Sequence, residues 1–250
     1  MNSAARWCER TYPFRHFVAN SVLDSDQYAR VAAGFAKIQL GQDPDRSVRL
    51  TKSRGNYDAL SYGLGASVAS RFRPLFEKSW LDMLADVVGV KGVPAIDAGL
   101  HHVPQGSRSG WIHNDCCSAW FNGALSSKKI LFPDRRMCDY FTGEPNHPEA
   151  RPTEYVRSAT MIFYLQNEGW EQGMGGETGL YPGSKASYGG EVLIPPVNNT
   201  LVLFECSPHS FHRLMANPGK ARNSIVLWLH STTEEATRKW AHGVIRRGPK

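Results

Sequence analysis

At 250 residues the chain fits one domain with one core, and 41% hydrophobic against 21% charged residues excludes a disordered or low-complexity protein. Five cysteines, scattered as Cys8, Cys116, Cys117, Cys138 and Cys206, form neither a disulfide framework nor a Cys-x-x-Cys metal clamp. The net charge of +6 is dispersed apart from Arg246-Arg247-Gly248-Pro249-Lys250, which reads as a solvated tail rather than a nucleic-acid contact. No apolar leader follows Met1 and no window approaches 18 apolar residues, so the expectation is a cytoplasmic protein with no membrane or nucleic-acid partner.

Asp24 is placed to cap a helix in which Tyr28, Val31, Ala32, Phe35 and Ile38 recur at helical spacing, with Gly41 as its stop. The segment 46–70 is polar and reads as irregular. A second helix is predicted from Pro74, a good first-turn residue, carrying Phe76, Trp80, Leu84 and Val87 inward and ending at Gly89. From Val93 the texture changes to short runs separated by Gly, Pro and Asn. Strands are predicted at 96–103, 111–121, 159–165, 177–181, 191–194, 200–205, 209–215 and 223–230. Ser231-x-x-Glu234 and Thr232-x-x-Glu235 both fit a capping box, so a short closing helix runs through Trp240. Together these predict an α+β, mainly β fold: a helical flank at 1–92, a jelly-roll core at 93–231, and a short helix with a basic tail at 232–250. A polar insertion, 122–157, interrupts the core; loops this long usually have a role or are disordered, and a substrate lid competes with a decorative insertion.

The chemistry centres on His113-Asn114-Asp115. On a strand, residues i and i+2 share a face, so His113 and Asp115 can offer an imidazole and a carboxylate to one metal while Asn114 faces away. A third ligand comes from His209 or His212, three apart and on opposite faces of a strand. His212 is preferred, because the turn Asn217-Pro218-Gly219 folds the chain back and brings Arg222 across from it. Two His and one carboxylate suit Fe(II) with open positions better than structural zinc. Arg222 and Ser224 share a face and present a guanidinium fork and a hydroxyl. A buried guanidinium needs an anion, either a protein acid such as Glu177 or Glu205 or a bound carboxylate. Cys116 and Cys117 read as packing residues, and Trp111, on the face of His113, as an aromatic wall or core filler.

These stretches, with Met161 through Trp170 and Gly175-Gly176-Glu177-Thr178, resemble the Fe(II)- and 2-oxoglutarate-dependent dioxygenases, in particular their prolyl-hydroxylase-like branch. The resemblance covers about half the chain, from Ala95 to Leu229. It implies a double-stranded β-helix (jelly-roll) core, His113, Asp115 and His212 as iron ligands, and Arg222 as the anchor of the 2-oxoglutarate carboxylate. Tyr164, with Ser224, is implied to complete that anchor, and Gly175-Gly176 to provide a backbone bend. Where the branch often has a tyrosine before the His-x-Asp triplet, this chain has His101-His102-Val103, so His101 or His102 is expected to finish the pocket.

The resemblance implies Fe(II), 2-oxoglutarate and O2, with ascorbate as an accessory reductant. An intact Asp115 implies hydroxylation rather than halogenation, with desaturation, cyclisation and epimerisation using the same triad. The insertion's charges, Asp134, Arg135, Arg136, Asp139, Glu144 and Arg151, suggest a small polar substrate such as an amino acid or a derivative, with Trp111, His101 and Arg135 as candidate contacts. Hydroxylation of a protein side chain is the enzymatic alternative, and a cupin-like binding barrel the non-enzymatic one.

Overall fold

The computed structural model describes residues 5–53, 57–185 and 191–246. Two strands open the chain, β1 (Arg6–Arg10) and β2 (His16–Asn20), paired antiparallel. Neither belongs to the predicted set, because Arg6, Glu9 and Arg10 deprive β1 of apolar alternation. Those charges suit an edge strand, where they discourage pairing with another chain.

Helix α1 (Ser25–Gln39) starts at Asp24, whose carboxylate accepts from the Gln27 backbone N–H in a capping box, and Gly41 follows its end in the left-handed region at φ +66°. Its buried stripe is Val31, Phe35 and Ile38. The segment read as irregular holds β3 (Thr51–Lys52), β4 (Leu60–Gly63) and the short helix α2 (Ala66–Ala69). These elements are too short to show a period. Pro74 does not start a helix: it lies in a 3-10 stretch, Ser70–Leu75, and Phe76 has non-helical φ −124°, ψ 15°. Helix α3 (Lys78–Val88) begins after Glu77 and ends at Gly89 with φ +74°, burying Trp80, Leu81, Leu84, Ala85 and Val88. Phe76 is buried from the preceding turn, and Val87 is half-buried rather than inward.

The remaining strands are β5 (Val93–Val103), β6 (Ser118–Asn122), β7 (Pro152–Tyr164), β8 (Thr178–Tyr181), β9 (Val192–Ile194), β10 (Thr200–Glu205), β11 (Phe211–Leu214) and β12 (Arg222–Thr232). Helix α4 (Thr233–Trp240), capped by Thr232 on the Glu235 N–H, closes the chain. The major sheet runs β1-β2-β10-β7-β12-β5-β4-β3, with β6 also on β7, and the minor sheet runs β11-β8-β9. This is the jelly-roll arrangement of two facing antiparallel sheets.

Two boundaries move furthest. The strand predicted over 111–121 forms only from Ser118, and Asp115 lies in irregular chain. The insertion is shorter, 123–151, because β7 already begins at Pro152 and pairs with β6 from Ser118↔Val156 to Asn122↔Pro152. Proline at a first strand residue needs no ladder hydrogen bond, and the charges of Glu154 and Arg157 hide the alternation.

Alternation along the major sheet sorts its residues into two compartments. Ala159, Met161 and Phe163 of β7, Ile225, Leu227 and Leu229 of β12, and Leu201 and Leu203 of β10 join the helices in the larger core. Ile162 and Tyr164 of β7 and Val202 and Phe204 of β10 face the minor sheet's Leu180 and Ile194. The helices therefore support the sheet from behind and leave its other face to the site.

Leu84, fully buried in the helix–sheet core, should cost about 2–5 kcal/mol when replaced by alanine, since lost transfer energy and a residual cavity add; urea unfolding measures it. A second expectation concerns pH. His230 is fully buried, its Nδ1–H donating to the Ala95 carbonyl at 3.0 Å and its Nε2 accepting from the Tyr140 hydroxyl at 2.9 Å. Burial, and then Arg157, push its pKa down to about 3. The unfolded chain takes up this proton near pH 6.5, the fold resists it, and so the stabilisation present above pH 6.5 is lost as pH falls towards 3. Between pH 7 and pH 5 this amounts to about 2 kcal/mol. The wild type should lose that much more than His230→Asn, and equal losses would refute the assignment.

Candidate active site

His113 reaches the site through an isolated bridge rather than a strand. Its backbone N–H donates to the His212 carbonyl at 3.0 Å, and His212 returns the bond at 2.8 Å. This pairing holds the two imidazoles 4.4 Å apart, centroid to centroid. The Nδ1–H of His113 donates to the Trp111 carbonyl (3.0 Å) and that of His212 to the Ser210 carbonyl (3.1 Å), which leaves both Nε2 lone pairs free. Asp115 approaches them, with oxygens 3.8 Å from His113 Nε2 and 3.5 Å from His212 Nε2. Ligand atoms of His113, Asp115 and His212 all lie within 4.8 Å of one another, so the three could hold one metal ion. The strand predicted over 209–215 contains both histidines, but β11 starts at Phe211 and His209 lies exposed in the turn before it.

Asp115 is buried and still ionised. Burial pushes its pKa up, but His212, then His113 and Arg157, hold it well below the usual carboxylate range. Thr160 Oγ1 and Trp228 Nε1 each donate to its Oδ2 at 2.8 Å. His113 is pushed down to about 4, by burial first and His212 second, so its ring is neutral and available as a ligand.

Two cross-strand rows build the inner wall. One contains Asp97, Trp228, Thr160 and Phe204 on β5, β12, β7 and β10, at the level of Asp115. The other contains His101, Ser224 and Tyr164 on β5, β12 and β7, beside Arg222. Trp228 lies four positions along β12 from Ser224, roughly 13 Å along a strand. Between the rows lie Ile162 and Val226, apolar residues that also line the cavity.

Arg222 is 5% exposed, and among the described residues it forms no ion pair. Glu205, one of the acids considered for it, pairs with Lys239. Arg222 donates to Ser224 Oγ (3.2 Å) and Thr178 Oγ1 (3.3 Å), and its Nε has no partner. Tyr164 lies under the guanidinium, 5.1 Å from its ring centroid, and shares a 2.6 Å hydrogen bond with Thr178. A buried cation with a spare donor fits an anion in the same cavity. The start of β12 is fixed by Asn217, which donates to the Val103 and Lys220 carbonyls, and by Gly175, where a Cβ would come within 2.1 Å of the Ala216 oxygen.

The cavity is lined by Arg222, Thr178 and His101 at one end and by the His-Asp-His cluster at the other, with Tyr57 and Trp111 also on its wall. His101 is pushed down to about 4 by burial and then Arg222, while His102 turns away to Asn223 and Gln39. Trp111 is 51% exposed, so it is an aromatic wall at the mouth and not a core filler. Its ring meets Tyr57 edge-on at 5.7 Å, a residue hidden in the polar segment 46–70. Arg135 is absent from the lining; it faces Asp97, and no residue of 123–151 reaches this cavity. In this structure the insertion lies outside the described pocket. Cys116 and Cys117 are buried outside the cavity, burial raising the Cys116 thiol to about 11. Arg246, expected in a solvated tail, instead bridges to Cys117 and donates to the Asn114 carbonyl, and 247–250 lie outside the described residues.

Residues 136–230, which hold Thr160, Tyr164, His212, Arg222 and Trp228, match the family model described as 2OG-Fe(II) oxygenase superfamily. The matched span is less than half of the chain. His113 and Asp115 precede the matched span and are supplied by the geometry above. A prolyl-4-hydroxylase from Pseudomonas putida shares the fold at TM-score 0.54 and 16% identity, over 91% of this chain and 93% of that one. The prolyl hydroxylase from Trichoplax adhaerens, solved with a hypoxia inducible factor peptide, gives 0.55 and 18%, over 90% and 86%. EctD from S. alaskensis gives 0.55 and 11%, over 88% and 74%. No curated protein matches the chain.

Replacing Arg222 by methionine keeps bulk and removes an uncompensated buried cation. Without ligand, this variant should be more stable than the wild type by about 1–4 kcal/mol, as when buried ionic groups are exchanged for packed apolar ones. A lower urea midpoint would mean that a protein acid balances Arg222 after all.

Proposed function

We propose that the protein is a 2OG-Fe(II) oxygenase that hydroxylates an unactivated C–H bond of a small metabolite, an amino acid or a compound derived from one. The observation that carries the co-substrate assignment is Arg222: a buried guanidinium with a free Nε, in the same cavity as a two-His-one-carboxylate cluster. His113, Asp115 and His212 would hold Fe(II), and Arg222, with Ser224 and Thr178, would hold the distal carboxylate of 2-oxoglutarate. When bound, iron and 2-oxoglutarate supply the oxidising power to insert one atom of O2 into the substrate, with succinate and CO2 as co-products.

The chain's own residues orient and exclude. Thr160 and Trp228 fix the Asp115 carboxylate, the two backbone carbonyls fix both histidine tautomers, and Ile162 and Val226 keep the space between the two polar ends apolar. The substrate would enter past Trp111 and Tyr57, whose rings suit a C–H-rich or planar group better than a highly charged one. A protein side chain as substrate is the second reading, favoured by the half-exposed Trp111, which a peptide could cover.

Purified protein with Fe(II), 2-oxoglutarate and O2 should form succinate without added substrate, and His113→Ala should abolish it. Arg222→Ala should raise the KM for 2-oxoglutarate about 100-fold, or about 2.7 kcal/mol, the loss of a charge-assisted pair. No succinate from the wild type would sink the reading. Screening free amino acids against peptides for a mass gain of one oxygen separates the two substrate classes.

A further inference from the structure

Arg157 reaches the metal carboxylate only because β7 and β12 carry a bulge. The pairing Leu229↔Ala159 is followed by His230↔Arg157, so Ser158 is the extra residue and the alternation of β7 slips by one. By strict alternation, Arg157 would share the helix side with Ala159 and Met161. The slip turns it towards Asp115.

The side chain is 7% exposed and held from four directions. Its Nη1 lies 3.6 Å from Asp115 Oδ1 and its Nη2 3.6 Å from Asp97 Oδ2. Its Nε donates to the Tyr140 hydroxyl at 3.1 Å, and its guanidinium stacks 4.0 Å from the Trp228 ring centroid. Trp228 is itself a donor to Asp115, so Arg157 touches that carboxylate both directly and through the indole. Tyr140 belongs to the 123–151 insertion, is 1% exposed, and donates its hydroxyl hydrogen bond to His230 Nε2. The insertion docks on the same irregular edge, where Leu131 bridges to Ala95 and Arg135 lies 3.7 Å from Asp97.

We propose that Arg157 is a positioning residue for the metal-binding carboxylate, and that the 123–151 insertion completes the metal site from behind by holding Arg157 through Tyr140 and Asp97. This gives the insertion a task other than covering substrate. The inference rests on the metal-site reading above.

Two physical effects oppose each other here, which makes the role testable. A cation beside Asp115 repels an incoming divalent metal, so if Arg157 only balanced charge, removing it would tighten metal binding. If it positions the carboxylate, removing it frees Asp115 to turn and binding weakens, roughly 10–100-fold by the usual effect of outer partners on metal sites.

The measurement is Co(II) affinity by calorimetry, with the visible Co(II) absorption bands, on wild type, Arg157→Gln, Arg157→Lys and Tyr140→Phe. Circular dichroism confirms folding of each. Arg157→Gln should weaken Co(II) by at least tenfold and shift the bands. Arg157→Lys should not restore affinity, because one ammonium cannot serve Asp115, Asp97 and Tyr140 together and does not stack on Trp228. Tyr140→Phe removes one oxygen, provides the test should Arg157→Gln fail to fold, and should weaken Co(II) severalfold. Unchanged or tighter binding with unshifted bands in the folded Arg157→Gln, or in Tyr140→Phe where that variant alone folds, overturns the proposal while leaving the metal site standing. Wild type that binds no Co(II) overturns both.

Discussion

A carboxylate that stays ionised while 5% exposed constrains everything around it, and Asp115 is that group. Its charge is tolerable because hydrogen-bond donors and a cation approach it from separate parts of the chain: Thr160 on β7, Trp228 on β12 and Arg157 at the bulge. Removing any one supporter leaves a buried charge under-compensated, so the inner wall of the barrel is less free to vary than its size suggests. The opposite end of the cavity poses the mirror problem, a buried cation whose Nε has no partner.

The two charges are kept apart by strand geometry. Side chains two residues apart on β12 share a face, so Arg222, Ser224, Val226 and Trp228 form a single line from the cationic end to the carboxylate end, with an apolar interval between. Neighbouring strands repeat this order in register: His101 beside Ser224 beside Tyr164, and Asp97 beside Trp228 beside Thr160. The opposite face of the same strands carries Ile225, Leu227 and Leu229 into the helix-supported core. Large apolar burial on one side thereby keeps rigid the strands that hold polar groups on the other.

Much of this was legible from residues alone where period and punctuation agree. Asp24, the stripe of α1, the stop at Gly89, β10 and the capping of α4 were readable because caps and alternation are local. Strand β1 was hidden by its charges, β4 by its brevity, and the start of β7 by Glu154 and Arg157. Pro74 misled because a residue suited to a helix's first turn also suits a 3-10 turn, and which of them forms depends on how Phe72 and Leu75 pack. Arg135 was assigned to substrate from the polarity of its surroundings, yet polarity cannot tell a charge facing a cavity from one facing Asp97.

The sequence by itself determined the chemical vocabulary: His113, Asp115 and His212 in that order, Arg222 after a turn, and the jelly-roll texture around them. Spacing and side-chain type are properties of the chain, and a two-residue period or a ten-residue hairpin transmits them directly. Only the tertiary structure decided who surrounds that vocabulary. Thr160, Trp228, Arg157, Tyr57 and Tyr140 meet the site through contacts spanning tens of residues, and a one-residue bulge at Ser158 sets which face Arg157 occupies. No local period encodes such a slip, because it is settled by how β7 satisfies β6, β12 and a buried carboxylate at once.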